Sequence, residues 1–289
     1  MKKNNNNSQQ LKPEGPWFLF LTVLVLIGGA LLIVFSLQTT SSSLLSCGGA
    51  LGRRALPSRN ETQLAILHYA TSRVVPQQTF EEIMVSFNVL QSIGPCNFLV
   101  FGLGHDSLMW ASLNPGGKTL FLEEDPKWVQ TVLKDAPALR ADTVGYRTQL
   151  SEADQLLKHY QSEPDCSTEK SFLRGNDKCR LALNKLSDEV YDTEWDMIMV
   201  DTPRGTYFSE APGRMAAIYS AAVMARNRKK SGVTHVFLHD VNRRVEQMYA
   251  EKFLCTKYLV KAEGRLWHFE IPPSANVSGD FCYTTQRSS

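Results

Sequence analysis

The 289-residue sequence contains no internal repeat and no long low-complexity run, which excludes a solenoid or repeat array. It also lacks an excess of one charge. With 31 Lys and Arg against 29 Asp and Glu, the formal net charge is +2, and nothing argues for a nucleic-acid partner. Charge is missing altogether from residues 17 to 37, WFLFLTVLVLIGGALLIVFSL. That length matches the hydrocarbon thickness of a bilayer. A cleaved signal peptide would have a shorter apolar region, about 7 to 15 residues, ending in a small-residue cleavage motif. Neither condition is met, so the segment reads as an uncleaved anchor. Lys2, Lys3 and Lys12 precede it, whereas residues 39 to 46 beyond it carry no charge. The positive-inside bias then keeps the short N-terminus cytosolic and turns the rest toward a lumen or the exterior.

What is present agrees with that side. Asn60-Glu-Thr62 and Asn276-Val-Ser278 are N-glycosylation sequons in polar, loop-like surroundings. The six cysteines, an even number, suit an oxidising compartment. Cys166 and Cys179 bracket a polar, Gly-containing loop, Cys255 and Cys282 are spaced to tie the C-terminal tail, and Cys47 and Cys96 are left over. Six reduced thiols are the alternative, and spacing does not fix connectivity.

The expected organisation is a cytosolic tail (1–16), an anchor (17–37), a luminal stem (38–63) rich in Ser, Thr, Gly and Arg, and one domain (64–289). In that domain LAILHYAT and TFEEIMVSFNVLQSI have helical spacing, the second with acidic residues in its first turn. Strands and helices then alternate. NFLVFG, KTLFLEED, a poor DTVGYRT, EWDMIMVD and THVFLHD read as strands one to five, each followed by a helix. KYLVKAEG and RLWHFEIP form a hairpin-like pair around Glu263-Gly264. Alternating units with near-continuous apolar strands predict an α/β fold with a doubly wound, mostly parallel sheet.

Ligands of such sheets sit at the carboxyl ends of the strands. The first strand leaves through Gly102-Leu-Gly104 and presents His105 and Asp106, and Glu123 ends the second about twenty residues later. Glycines admit close approach of a ligand, and the carboxylate can accept both hydroxyls of a ribose. A third glycine is missing, Ser107 standing in its place, and no Tyr-x-x-x-Lys pair occurs. Those gaps count against a nicotinamide-dependent oxidoreductase and favour S-adenosylmethionine, with Gly102, Gly104, Asp106 and Glu123 as cofactor-binding candidates. A tight turn beside a solvated acidic cluster is the plainer alternative. The fourth and fifth strands end in Asp201 and in His239-Asp240-Val-Asn242. Asp201, Asp240 and Asn242 offer oxygen ligands for a divalent cation, and His239 is a candidate general base. Helix caps and a core histidine would also explain them. Asp201, His239 and Asp240 are the catalytic candidates.

CNFLVFGLGHDSLMWASLN, FLEEDP, EWDMIMVDTP, MARNRK and THVFLHDVNR together resemble the plant family that O-methylates glucuronic acid in cell-wall polysaccharides. The likeness runs from about Leu64 to Cys282. The irregular-xylem branch of the family differs at the Gly104-His105-Asp106 and Asp-Val-Asn positions. LSEADQLL, LRGNDKCRLAL and GRLWHFEIP look more like the arabinogalactan branch than the glucuronoxylan branch. TPRGTY at 202 to 207 departs from relatives that carry Ala before Pro.

The resemblance implies a Rossmann-like methyltransferase with S-adenosyl-L-methionine as donor. Its acceptor would be the 4-hydroxyl of glucuronosyl side residues, in arabinogalactan first and glucuronoxylan as the alternative. It also implies a Golgi membrane location, single-pass with a luminal catalytic domain. A non-catalytic Golgi scaffold is the competing reading. A fold-level analogy to metal-dependent catechol methyltransferases puts a cation on Asp201 and Asp240. The carboxylate next to the reactive hydroxyl suits a guanidinium fork, with Arg204 and Arg214 as substrate-binding candidates.

Overall fold

The computed structural model describes residues 59–170, 172–203, 208–273 and 281–282. The anchor segment 17–37, the stem to residue 58, Cys47, Arg204 and the Asn276 sequon lie outside the described residues. Among the described residues no helix is long and apolar enough to cross a membrane.

Five parallel strands form the centre: β1 (Asn97–Phe101), β2 (Lys118–Glu123), β3 (Ala141–Thr143), β4 (Met197–Val200) and β5 (Thr234–Leu238). The hairpin β6 (Leu259–Glu263) and β7 (Leu266–Ile271) closes one edge, β7 running antiparallel to β5, in the order β3-β2-β1-β4-β5-β7-β6. The expected mostly parallel, doubly wound sheet is therefore present. Its strands are apolar on both faces because both faces are covered. Leu99, Phe101, Leu120, Leu122, Ile198 and Val200 point into one core, and Phe98, Val100, Phe121, Met197 and Met199 into the other.

Helices α2 (Phe80–Ile93), α3 (Ser107–Leu113) and α4 (Pro126–Asp135) supply the second core through Leu90, Trp110 and Val129. On the opposite face lie α5 (Ala153–Ser162), the short α6 (Asp188–Asp192), α7 (Met215–Arg226) and α8 (Arg244–Tyr249), which runs into a π-turn at Ala250–Leu254. Alanines on nearly every face of α7 let it sink between strands and α8, so it is buried all round.

Two local expectations shift. The third strand is only three residues long at the sheet's edge, pairing with β2 from Ala141 to Thr143, and the chain then leaves the sheet with Val144 and Tyr146 still packed on the core. The first helix, α1 (Arg59–Thr71), starts ahead of its apolar residues, so Asn60 lies in a helical turn rather than a loop. Tyr69 docks α1 on the turn after β1, donating to the His105 carbonyl (2.6 Å) and accepting from Met109 N (3.2 Å). Disulfides Cys166–Cys179 and Cys255–Cys282 join the pairs that spacing had singled out, while Cys96 is free and buried.

Candidate active site

The carboxyl ends of the parallel strands β1, β2, β4 and β5 lie along one edge of the sheet, where folds of this kind form their ligand cleft. After β1, the Gly102 amide extends the ladder to the Leu122 carbonyl (2.8 Å), and its φ of 132° is one that only glycine adopts easily. A Cβ there would lie 2.9 Å from Thr202 Cγ2. Gly102 is thus explained by backbone and packing. Gly104 is not: its φ is ordinary, and a Cβ would meet only Asp106 Oδ1 at 3.4 Å. Ser107, in the place of the absent third glycine, closes the turn by accepting the Gly104 amide on its hydroxyl (2.8 Å).

Glu123 braces this turn from β2. Its carboxylate accepts the Leu103 amide (3.1 Å) and the Asp125 amide (3.2 Å) and is buried. Burial, helped by the neighbouring Glu124 charge, outweighs those two amides and pushes the Glu123 carboxyl up to about 7. Asp106 accepts the Trp110 indole N–H (2.8 Å), and its carboxyl is also raised, by burial and then by the charge of Asp201. Around this turn, Tyr146 Oη, Glu124 Oε2, Thr202 Oγ1 and Gln78 Oε1 are buried with no hydrogen-bond partner among the described residues. An open glycine turn, a braced carboxylate and unspent buried polar atoms fit a polar ligand of nucleoside type.

Asp201 stands just past β4 with its side chain 23% exposed. It accepts from His239 Nδ1 (2.9 Å) and from the Gln78 amide (3.3 Å). Burial works to raise its carboxyl, but the His239 hydrogen bond and the Arg214 charge prevail and hold it at about 2. His239 is fully buried, and its other nitrogen, Nε2, faces Glu82 Oε2 at 3.5 Å. Glu82 in turn accepts the Thr79 amide, completing the capping box of α2, and the Arg265 amide of the β6–β7 turn. A carboxylate, an imidazole and a second carboxylate thus run from the cleft into the core. His239 holds Asp201 in place rather than offering a nitrogen to the cleft.

Two expectations are corrected here. Arg214 does not reach toward an acceptor sugar. Its guanidinium donates to the carbonyls of His239 (2.7 Å), Pro203 (3.3 Å) and Asp201, and pairs with Asp240 (2.9 Å) and Asp201 (3.4 Å). Every donor nitrogen is engaged and the residue is buried, so the fork is spent on tying β4 to β5. The cation set fares no better. Asp201, His239 and Asp240 do bring their ligand atoms within 4.8 Å of one another. Yet Arg214 already occupies the space between the carboxylates, and Asp240 also pairs with Arg265 (2.6 Å) and Arg243 (3.0 Å). Three guanidiniums neutralise what a cation would, and Asn242 is exposed whereas Asp240 and His239 are buried. The residues present do not fit a metal ion. Asp240 is therefore a structural anion, held in the left-handed region at φ 60°.

Gln78, Glu82 and Tyr146 went unnoticed in the sequence. Only Glu82 left a signal there, as the capping-box residue of TFEE, and that motif says nothing about what else the carboxylate reaches.

A 3-2-1-4-5 parallel core with an antiparallel 7-6 edge, a glycine turn after β1 and an acid ending β2 defines the Rossmann-like methyltransferase fold. The chain belongs to the IRX15/IRX15L/GXM family, whose model matches residues 81–269. It is 58% identical to arabinogalactan O-methyltransferase 2 of Arabidopsis thaliana, over 98% of this chain and all of that one. It is 44% identical to glucuronoxylan 4-O-methyltransferase 1 of the same plant, over 94% of each chain. Among solved structures, a methyltransferase-like protein of Silicibacter pomeroyi aligns with 71% of this chain and 92% of its own, at 17% identity and a TM-score of 0.40. A likeness that loose carries no argument.

Proposed function

We propose that the protein is an S-adenosylmethionine-dependent O-methyltransferase that acts on the 4-hydroxyl of glucuronic acid residues in arabinogalactan. Family membership and the higher identity to the arabinogalactan relative support the acceptor. Glucuronoxylan is the second reading. The observation that carries the chemistry is the ionised Asp201 at the cleft, held from behind by His239 and set beside the open glycine turn.

Gly104 and Glu123 would hold the donor's methionine and ribose parts, with Asp106, Tyr146 and Glu124 along the same wall. When bound, the donor supplies an electrophilic methyl group on a sulfonium. Asp201 accepts a hydrogen bond from the acceptor hydroxyl and so aims an oxygen lone pair at that methyl. As the carbon–oxygen bond forms, the methyl–sulfur bond would break with its electron pair going to sulfur to leave a neutral thioether, while the hydroxyl becomes acidic and its proton leaves to Asp201 or to water. A carboxylate held at about 2 is a weak base, so its contribution is orientation and charge complementarity more than proton abstraction.

Residues 17–37 would anchor the chain in the Golgi membrane with its domain luminal, and Arg204 remains a candidate for the acceptor carboxylate. The disulfides suit that compartment. Transfer of labelled methyl groups to arabinogalactan and to glucuronoxylan tests the reading. Asp201→Asn should lower kcat by about 10²–10³ and leave donor affinity unchanged. Full activity of that variant, or a preference for glucosyl over glucuronosyl acceptors, would overturn it.

A further inference from the structure

We propose that His235, His268 and Glu270 form a binding site for a zinc-class divalent ion, separate from the cleft. The antiparallel register of β5 and β7 opposes His235 to Glu270 and Phe237 to His268, which puts all four side chains on one face of the sheet. His268 is buried and stacks flat on Phe237, with ring centroids 4.3 Å apart at 8°, so its orientation is fixed by packing. That orientation aims Nε2 at His235 Nδ1, 3.0 Å away, while Glu270 Oε1 lies 3.8 Å from the same Nδ1. The three ligand atoms all fall within 4.8 Å of one another.

These spacings decide between two explanations. A single N–H···N bond accounts for the two imidazoles but gives the carboxylate nothing, because one proton cannot serve three converging acceptors. Zinc bonds of about 2.0–2.1 Å place tetrahedral ligands about 3.3 Å apart. Separations of 3.0 and 3.8 Å bracket that value and the third is no more than 4.8 Å, so rotation of the partly exposed Glu270 side chain would bring its carboxylate into the shell. Two imidazoles and one carboxylate are a zinc donor set. Glu270 is 43% exposed, which gives the ion an entry path and leaves a fourth position open to water.

His235 is the second residue of β5 and His239 follows its end, so the ion would sit about four residues, or about 13 Å, from the cleft. It cannot touch the reacting atoms there. Its effect would be to pin the β6–β7 edge, whose turn supplies Arg265 to both Glu82 and Asp240.

The test uses full-length, untagged protein in detergent, stripped with a chelator and titrated with Co2+ and then Zn2+. One equivalent of Co2+ should bind with a tetrahedral visible spectrum, and Zn2+ should displace it and raise the melting temperature. Glu270→Gln, at an exposed position that does not threaten folding, and His268→Phe, which keeps the stack, should each weaken binding about 10- to 100-fold. Asp201→Asn should leave binding unchanged. No uptake, uptake indifferent to both ligand variants, or uptake lost on Asp201→Asn would each overturn the proposal.

Discussion

Replacing Arg214 by Met separates the two roles that an arginine at this position can have. Met keeps most of the aliphatic length and removes every donor. Three buried carbonyls, of His239, Pro203 and Asp201, then lose a charged partner, and so do the carboxylates of Asp240 and Asp201. Removing one member of a buried ion pair costs about 3–5 kcal/mol, because the remaining charge stays buried. Asp240 keeps Arg243 and Arg265, which holds the loss near the lower end, about 3 kcal/mol. For a domain of this size each kcal/mol moves the melting temperature by about 2–4 °C, so a fall of about 6–12 °C is expected. The deficit should also depend on pH. Asp201 is held at about 2, below its ordinary value, so its stabilisation is present above the unfolded pKa and fades as pH falls toward 2. Arg214 is one cause of that depression, so the gap between wild type and Arg214→Met should narrow on acidification across that window. Thermal unfolding followed by tryptophan fluorescence at several pH values reads both effects. An unchanged melting temperature with a raised Michaelis constant for the acceptor would refute the structural role and restore Arg214 as a sugar-binding residue.

The two glycines of the first turn should respond in opposite ways. Gly104→Val meets only Asp106 Oδ1, so it should leave the melting temperature near wild type while abolishing binding of S-adenosylhomocysteine in calorimetry. Gly102→Val drives a side chain into Thr202 at φ 132° and should cost about 1–3 kcal/mol of stability before any binding is measured. Glu123 should make donor binding release a proton. Its carboxyl lies at about 7 when free, and hydroxyl donors favour the ionised form, so affinity should rise with pH from about 6 to 8. Calorimetry in buffers of different ionisation enthalpy measures that release, and a Glu123→Gln variant that still releases a proton would assign it elsewhere.

The sheet was legible because its signals are local. Buried strands such as NFLVF and MIMV read as apolar runs, and the hairpin announces itself at Glu263-Gly264. The positions of Gly102, Gly104, Glu123, Asp201 and His239 followed from strand ends alone, since a parallel sheet collects those ends on one edge. Partners were not legible, because pairing is decided by side chains far apart in sequence. Arg214 looked available for a substrate anion from its place ahead of α7. Only the approach of β5 to β4 delivers the His239 carbonyl and the Asp240 carboxylate to the same guanidinium. Glu82 reaches His239 across more than 150 residues, and its only sequence signal describes a helix cap.

One physical theme connects the corrected residues. Glu82, Asp201, Asp240 and Glu246 gather beside His239, Arg214, Arg243 and Arg265 at the root of the cleft, most of them buried. A buried ion pair is a weak source of stability, since desolvation offsets most of its attraction. What such a network can supply is a fixed geometry, because each charge that moves loses a partner that water cannot replace. Asp201 alone among the four carboxylates combines this anchorage with an exposed edge, 23% against 1% for Glu82 and Asp240. The network therefore leaves one ionised oxygen edge at the cleft and prevents it from turning away. Methyl transfer to a sugar hydroxyl depends on the approach of oxygen to carbon more than on a strong base. A rigid, weakly basic carboxylate suits that need better than the divalent cation or the free imidazole that the sequence had suggested.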